Sequence, residues 1–171
     1  MTAAHFAAAL AIKSRFPRAP TAALILGAFI PDFIWIVLAT AGIEPTKREI
    51  FFDDWSHSLL SIVVYASLFA LLFWKRDRSV AFAMWLAVFS HFILDLPVHP
   101  KSLAIYPHSS IHLGLGLSDI AAKNYWFIQL AVTLVLLAIY VYGTRRLRIA
   151  PKWIVASCVL VLGWHIVLMP G

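Results

Sequence analysis

Apolar residues fill long blocks of this chain, and within each block they cover the whole circumference a helix would present. Four blocks, roughly 21–42, 56–74, 79–96 and 124–143, reach or approach the ~20 residues needed to cross ~30 Å of hydrocarbon. A fifth, 152–169, is similar in length. Blocks of this kind predict membrane helices, because open strands would leave backbone groups unpaired in lipid. A sixth apolar block, from Ala3 to about Ile12, predicts a short helix that inserts only partly. The longest stretch without helical character, 97–123, holds Pro97, Pro100, Pro107, Gly114 and Gly116, and is expected to form an outer loop. The expected architecture is therefore all-α: a polytopic bundle of about five transmembrane helices plus the short N-terminal one. It forms a single integral membrane domain over 1–171, with no internal repeat and no cleaved leader.

Composition supports that pattern. Of 171 residues, 62% are hydrophobic and 13% charged, against ~45–50% and ~25% in soluble domains. A soluble chain of this length has too small an interior for so many large apolar side chains. Cys158 is the only cysteine, which excludes a disulfide scaffold, and a disordered chain needs the opposite composition.

The net charge of +6 changes the picture only through its distribution. Lys13, Arg15 and Arg18 share one turn, Lys75, Arg76 and Arg78 a second, and Arg145, Arg146, Arg148 and Lys152 a third. These turns hold 10 of the 14 cations and a single acid, Asp77. They alternate with the apolar blocks as cytoplasmic loops do under the positive-inside rule. The basicity thus reads as topology, and no nucleic-acid partner is expected. Aromatic residues fit the same frame: Trp74, Tyr140, Tyr142 and Trp153 near the inner boundary, and Trp55, Tyr125 and Trp126 near the outer one.

None of the seven histidines lies in a basic turn. The turns act as a depth ruler. His5 lies 13 residues before Arg18 and Asp32 14 after it, so at ~1.5 Å per residue both stand ~20 Å from the turn. Measured from Asp77, His57 is 20 residues before, His91 14 after and Asp95 18 after. Two helical hairpins therefore raise two His/Asp sets to one level. His91 and Asp95, four apart, share a helix face. Pro97 should end or kink that helix, leaving His99 to fold back over the same face. Imidazole and carboxylate suit zinc and other first-row divalent metals. A cation would also offset the cost of placing Asp32 and Asp95 within the outer half of a bilayer.

Several residues have plainer roles. His165 reads as a hydrogen-bonded core histidine, and His108 and His112 as solvated loop residues. Asp53 and Asp54 precede the 56–74 helix, where acids complement the dipole. Ser56 and Ser58 flank His57, but neighbours on a helix point apart. Gly-x-Ser-x-Gly, Gly-x4-Gly-Lys and His-Glu-x2-His are all missing.

His5, Gly27-Ala28-Phe29-Ile30-Pro31-Asp32, Trp55-Ser56-His57-Ser58 and His91-Phe92-Ile93-Leu94-Asp95 occur in this order. Over residues 1–100 this resembles the bacterial membrane-bound metal-dependent hydrolases, the LexA-regulated inner-membrane hydrolase-like family. More distantly it is similar to zinc-dependent phospholipase C and P1 nuclease. The resemblance implies that Asp32, His57, His91 and Asp95 surround one ion, that Asp95 bridges to another held with His5, and that His99 and His112 begin a further site. That group has an acid where this chain has Gly116, Asp119 being the nearest, and uses a processed N-terminal amine where this chain begins Met1-Thr2. One or two ions are accordingly implied rather than three, zinc first and manganese as the other candidate.

By the same resemblance, Asp32 and Asp95 are the catalytic carboxylates and metal-activated water cleaves a phosphoester. The outer-level site suits a lipid or lipid-linked substrate in the bilayer, with Lys101, Lys123 and His108 available to its headgroup. The implied location is the bacterial inner membrane, basic turns cytoplasmic. Two other classes fit the same residues: a small proton- or ion-coupled transporter with a His/Asp relay, and a non-catalytic membrane protein whose polar cluster locks helices together.

Overall fold

The structure is a computed structural model that describes residues 2–44, 52–99, 103–117, 122–145, 147 and 149–167. The described residues form seven helices: α1 (Thr2–Arg15), α2 (Thr21–Thr40), α3 (Asp54–His57), α4 (Leu59–Trp74), α5 (Arg78–Asp95), α6 (Ala122–Thr144) and α7 (Pro151–Val167). Among them there is no strand, only an isolated antiparallel bridge between Ala104 and His112. Three helices are long and apolar enough to cross a membrane: α2, α5 and the 20 residues of α6 from Tyr125 to Thr144. The other two expected spans, α4 and α7, are apolar but have 16 and 17 residues. At ~1.5 Å per residue they cover ~24–26 Å, short of the ~30 Å hydrocarbon core.

The helix expected over 56–74 is two pieces. Ser58 takes an extended conformation (φ −63°, ψ 153°) after the single turn of α3, and its hydroxyl caps α4 by accepting from the Ser61 amide. The outer loop explains why the break is stable. Leu59 and Leu60 amides donate to the Ala104 and Ile105 carbonyls at 3.0 and 2.9 Å, satisfying donors that a helix start leaves without intrahelical partners. The Asp54 carboxylate accepts from the His108 amide at 2.9 Å. Leu115 and Gly116 amides donate to Leu96 and His99 carbonyls at 2.9 and 2.8 Å. The loop is thus stitched to both α4 and the end of α5.

Helix α1 is the short N-terminal helix, of 14 residues. It runs inside the bundle against α2, α5, α6 and α7, and Ala3, Ala4, Ala7, Ala8, Ala9 and Ala11 are all buried. Small side chains let neighbouring backbones approach closely, which is how membrane helices gain packing. A Cβ on Gly143 of α6 would collide with the Ser14 side chain. On the other side, a Cβ on Gly27 of α2 would lie 3.1 Å from Phe69 and 3.2 Å from Ala87. Leu24, Ala28, Met84 and Ala87 fill the α2–α5 seam.

These contacts gather the basic turns at one end. Arg18 lies 3.9 Å from Asp77, joining the first two turns, and the Ser14–Gly143 approach brings the third beside the first. Trp74, Tyr142 and Trp153 are exposed there, each beneath a cation, with Arg78, Arg145 and Lys152 at 5.4, 5.4 and 5.6 Å from their rings. Tyr140 differs from expectation. It is buried against Ala3, Ala7 and Leu10 of α1 and takes no part in that belt. Leu68, Leu72, Phe82, Val135 and Leu160 are among many large apolar side chains left exposed around the helices, far more apolar surface than a soluble monomer presents.

Candidate metal centre

The opposite end holds the polar cluster, and each helix delivers its members for a local reason. Helix α5 carries His91 and Asp95 on one face at a four-residue interval. Pro97 stops the regular helix, but Val98 and His99 amides still donate to the Asp95 carbonyl at 3.0 and 2.8 Å. The chain therefore winds one turn further and brings His99 back over Asp95. In α2, Pro31 supplies no amide donor and is buried beside Asp32. His5 comes from α1 and His57 from the end of α3.

The ring and carboxylate atoms converge. His91 Nε2 lies 3.0 Å from Asp95 Oδ2 and 3.7 Å from Asp32 Oδ1, and His57 Nε2 lies 3.6 Å from the same Asp32 oxygen. His5 Nε2 is 3.4 Å from Asp95 Oδ1, and His99 Nε2 is 3.7 Å from Asp95 Oδ2. Two triples, His5/Asp32/His91 and His57/His91/Asp95, each place one donor atom per residue within 4.8 Å of the others. Ligands on a tetrahedral zinc at ~2.0–2.1 Å stand about 3.4 Å apart, so these spacings match atoms around a common ion. The side chains of His91, His5 and Asp95 are almost fully buried, whereas that of Asp32 is 38% exposed. The cluster opens on the Asp32 side.

Hydrogen bonding tests whether the residues suit a metal. His91 Nδ1 is 2.8 Å from the Ala28 carbonyl. That carbonyl can only accept, so Nδ1 carries a proton, and in the neutral ring Nε2 presents a lone pair. Although only 3.0 Å from Asp95, Nε2 has no hydrogen-bond partner of acceptable geometry among the described residues. A buried ring nitrogen 3.0 Å from one carboxylate and 3.7 Å from another fits a cation placed among them. An outer carbonyl that fixes the tautomer is the usual support of a metal-bound histidine. One lone pair serves one ion, so the two triples cannot each hold an ion through His91. A second ion would need the His5 side of Asp95.

Two acids omitted from the expected ligand set belong here. Asp53 does not cap α3 through its side chain; its carboxylate is buried, 3.5 Å from His99 Nδ1. Burial pushes the Asp53 carboxyl up to about 7, with Glu44 and Asp54 adding to the rise and His57 opposing it. Burial likewise lowers His99 to about 4, against the pull of Asp95, leaving a neutral imidazole at pH 7. Glu44 is wholly buried and accepts from the Ser56 hydroxyl at 2.7 Å. Ser56 and His57 do not point apart: the Ser56 Oγ–His57 Nδ1 distance is 2.7 Å. The one-turn helix and its break at Ser58 turn neighbours toward each other, which a continuous helix would not. Ser56 is fully buried, so it cannot present its hydroxyl to a substrate as a nucleophile.

The remaining candidates lie elsewhere. His112 is exposed on the outer loop and is not drawn into the cluster. His108, also on that loop, has φ 63° and stacks on Phe52 at 4.9 Å. Lys101 and Asp119 fall outside the described residues, as does the side chain of Lys123. His165 is buried and packs against Trp126 at 4.7 Å, but neither ring nitrogen finds a hydrogen-bond partner among the described residues. Comparison with protein-family models, with curated proteins and with solved structures finds no match. The class defined by fold and site is thus a helical, membrane-type protein with a buried His/Asp cluster able to hold a metal ion.

Proposed function

We propose that this protein is an integral membrane metal-dependent hydrolase that cleaves a phosphoester of a lipid or lipid-linked substrate. The observation carrying this reading is the convergence of Asp95 and Asp32 on the buried Nε2 of His91, at 3.0 and 3.7 Å, while Ala28 holds the far side of the ring. Asp32, His57, His91 and Asp95 would hold a first ion, and His5 and His99 would be available, with Asp95, to a second. Zinc is the favoured ion and manganese the alternative. A divalent ion there supplies Lewis acidity and water that ionises near neutral pH. Asp32, the exposed carboxylate of the set, orients the attacking water and accepts its proton. The buried histidines exclude bulk water from the far side.

The five apolar helices are read as spans, α4 and α7 crossing a locally thinned bilayer, an accommodation that costs little. Basic turns then face the cytoplasm, and the cluster lies toward the outer side of the inner membrane, near phospholipid headgroups. The test is metal content by inductively coupled plasma mass spectrometry on untagged protein in detergent, beside the His91→Ala/Asp95→Ala double variant. One or two zinc or manganese ions per chain, lost in the variant, support the reading. Protein that neither contains nor takes up metal overturns it and leaves a cluster that locks helices together.

A further inference from the structure

Beyond the ligands, the structure holds two linked side chains behind His57. Helix α2 ends in a turn with Gly42 at φ 74°, a left-handed conformation that glycine adopts without strain. Gly42 and Ile43 amides donate back to Ala39 and Leu38 carbonyls at 3.1 and 2.9 Å. This reversal brings Glu44 under α3, where it is completely buried. One Glu44 oxygen accepts from the Trp55 and Ser56 amides at 2.8 and 3.0 Å, and the other from the Ser56 hydroxyl at 2.7 Å. All three contacts come from donors, which suits an ionised carboxylate, an acceptor at every lone pair.

The direction of each proton follows. Ser56 has one hydroxyl proton and three neighbours able to accept it, Glu44 and His57 Nδ1 at 2.7 Å and the Asp53 carbonyl at 3.1 Å. An ionised Glu44 can only accept, whereas Nδ1 can carry a proton of its own, so the hydroxyl proton goes to Glu44. With that proton committed, the Ser56 oxygen can only accept from His57 Nδ1, 2.7 Å away. The His57 proton must then sit on Nδ1, and Nε2 faces Asp32 with its lone pair bare. We infer that Glu44, acting through Ser56, is the positioning residue that sets the tautomer of His57 and so makes it a metal ligand. This deepens the proposed metal reading and rests on it for its purpose, but the proton order itself does not. His91 takes the same tautomer from a neutral carbonyl, whereas His57 takes it from a buried charge. A partner of this kind outside the ligand sphere also raises ligand basicity.

Glu44→Gln tests the inference with an almost isosteric change. The amide oxygen can keep the two backbone donors, which leaves the amide nitrogen donating to Ser56. The Ser56 proton is then released toward His57 Nδ1, and the His57 proton moves to Nε2, where it points at the metal position. Ser56→Ala is the second variant, cutting the chain without disturbing the backbone bonds to Glu44.

Two readouts are needed: zinc affinity by competition with a chromophoric chelator, and the His57 tautomer by long-range 1H–15N correlation in metal-free, 15N-histidine-labelled protein. The expected result is about 10–100-fold weaker zinc binding in either variant. The Nδ1–H tautomer in the native chain should give way to Nε2–H in Glu44→Gln. Affinities within twofold of the native chain, or an unchanged tautomer in Glu44→Gln, overturn the inference. If the native chain binds neither zinc nor manganese, the hydrolase reading fails by itself. The tautomer comparison then still decides the relay: Nδ1–H supports it and Nε2–H refutes it.

Discussion

The His91 ring on α5 and the Ala28 carbonyl on α2 meet at 2.8 Å, so one hydrogen bond ties helix packing to the chemistry of the cluster. The approach depends on Gly27, whose missing side chain leaves room for Phe69 and Ala87. Gly27→Val inserts atoms where even a Cβ would lie at 3.1–3.2 Å, and should cost about 1–3 kcal/mol by overpacking. It should also separate α2 from α5, weakening metal retention together with thermal stability. Differential scanning fluorimetry and metal analysis on one sample check both. Stability lost with metal affinity unchanged would show that the Ala28 contact is dispensable to the site.

Removing the ion should destabilise the protein beyond the loss of a ligand. Asp32 and Asp95 both face His91 Nε2, and like charges brought together at a buried site without a counter-ion are costly. Saturating zinc at 100 times its dissociation constant adds about 2.7 kcal/mol to any protein that binds only when folded. Chelation should therefore lower the unfolding temperature by several degrees, and zinc should restore it. The His91→Ala/Asp95→Ala variant should show no response to either treatment.

The level of the cluster was legible because helix rise is nearly constant: counting from Arg18 and Asp77 places His5, Asp32, His91 and Asp95 at one height. The four-residue interval put His91 and Asp95 on one face, and Pro97 marked the end of α5. Glu44 and Asp53 were not legible as members of the site. Both lie outside regular helix, and no periodicity says where such side chains point. The break at Ser58 is held by Ala104 and Ile105 carbonyls, partners distant in sequence that local propensity does not register. Tyr140 resembles a belt residue by position, but the interior course of α1 covers it.

Two ends of opposite character predict opposite labelling. In a Cys158→Ser background, cysteines at Arg76 or Lys152 should react with an impermeant maleimide only from the cytoplasmic side. Cysteines at Tyr106 or Ile111, both exposed on the outer loop, should react only from the other. Spheroplasts and inverted vesicles separate the two cases. Labelling of all four positions from one side would remove the orientation drawn from the basic turns.

The outer loop should be separable from the metal. Asp54→Ala deletes the acceptor of the His108 amide, a charge-assisted hydrogen bond of about 1.5–3 kcal/mol. Amide exchange across 104–114 should quicken, while metal content stays at the native value, since Asp54 is not among the converging atoms. Loss of metal in this variant would mean that the loop, through α3 and His57, helps hold the ion.

Asp32 is expected to divide binding from chemistry. Its side chain is 38% exposed, whereas the Asp95 side chain is 3% exposed, so the solvent-facing carboxylate is the one able to meet water and substrate. Asp32→Asn leaves His57, His91 and Asp95 in place as three ligands, the number that catalytic zinc sites commonly take from the protein. The variant should therefore retain most of its metal. Losing a proton acceptor of this kind lowers turnover by about 10²–10⁴-fold, to be read with a chromogenic phosphodiester in mixed micelles. Asp95→Asn should lose metal and activity together, because its carboxylate faces His5, His91 and His99 at once. Equal metal loss in both variants would make Asp32 a ligand only and move the proton acceptor elsewhere. Full activity in Asp32→Asn would remove it from the mechanism.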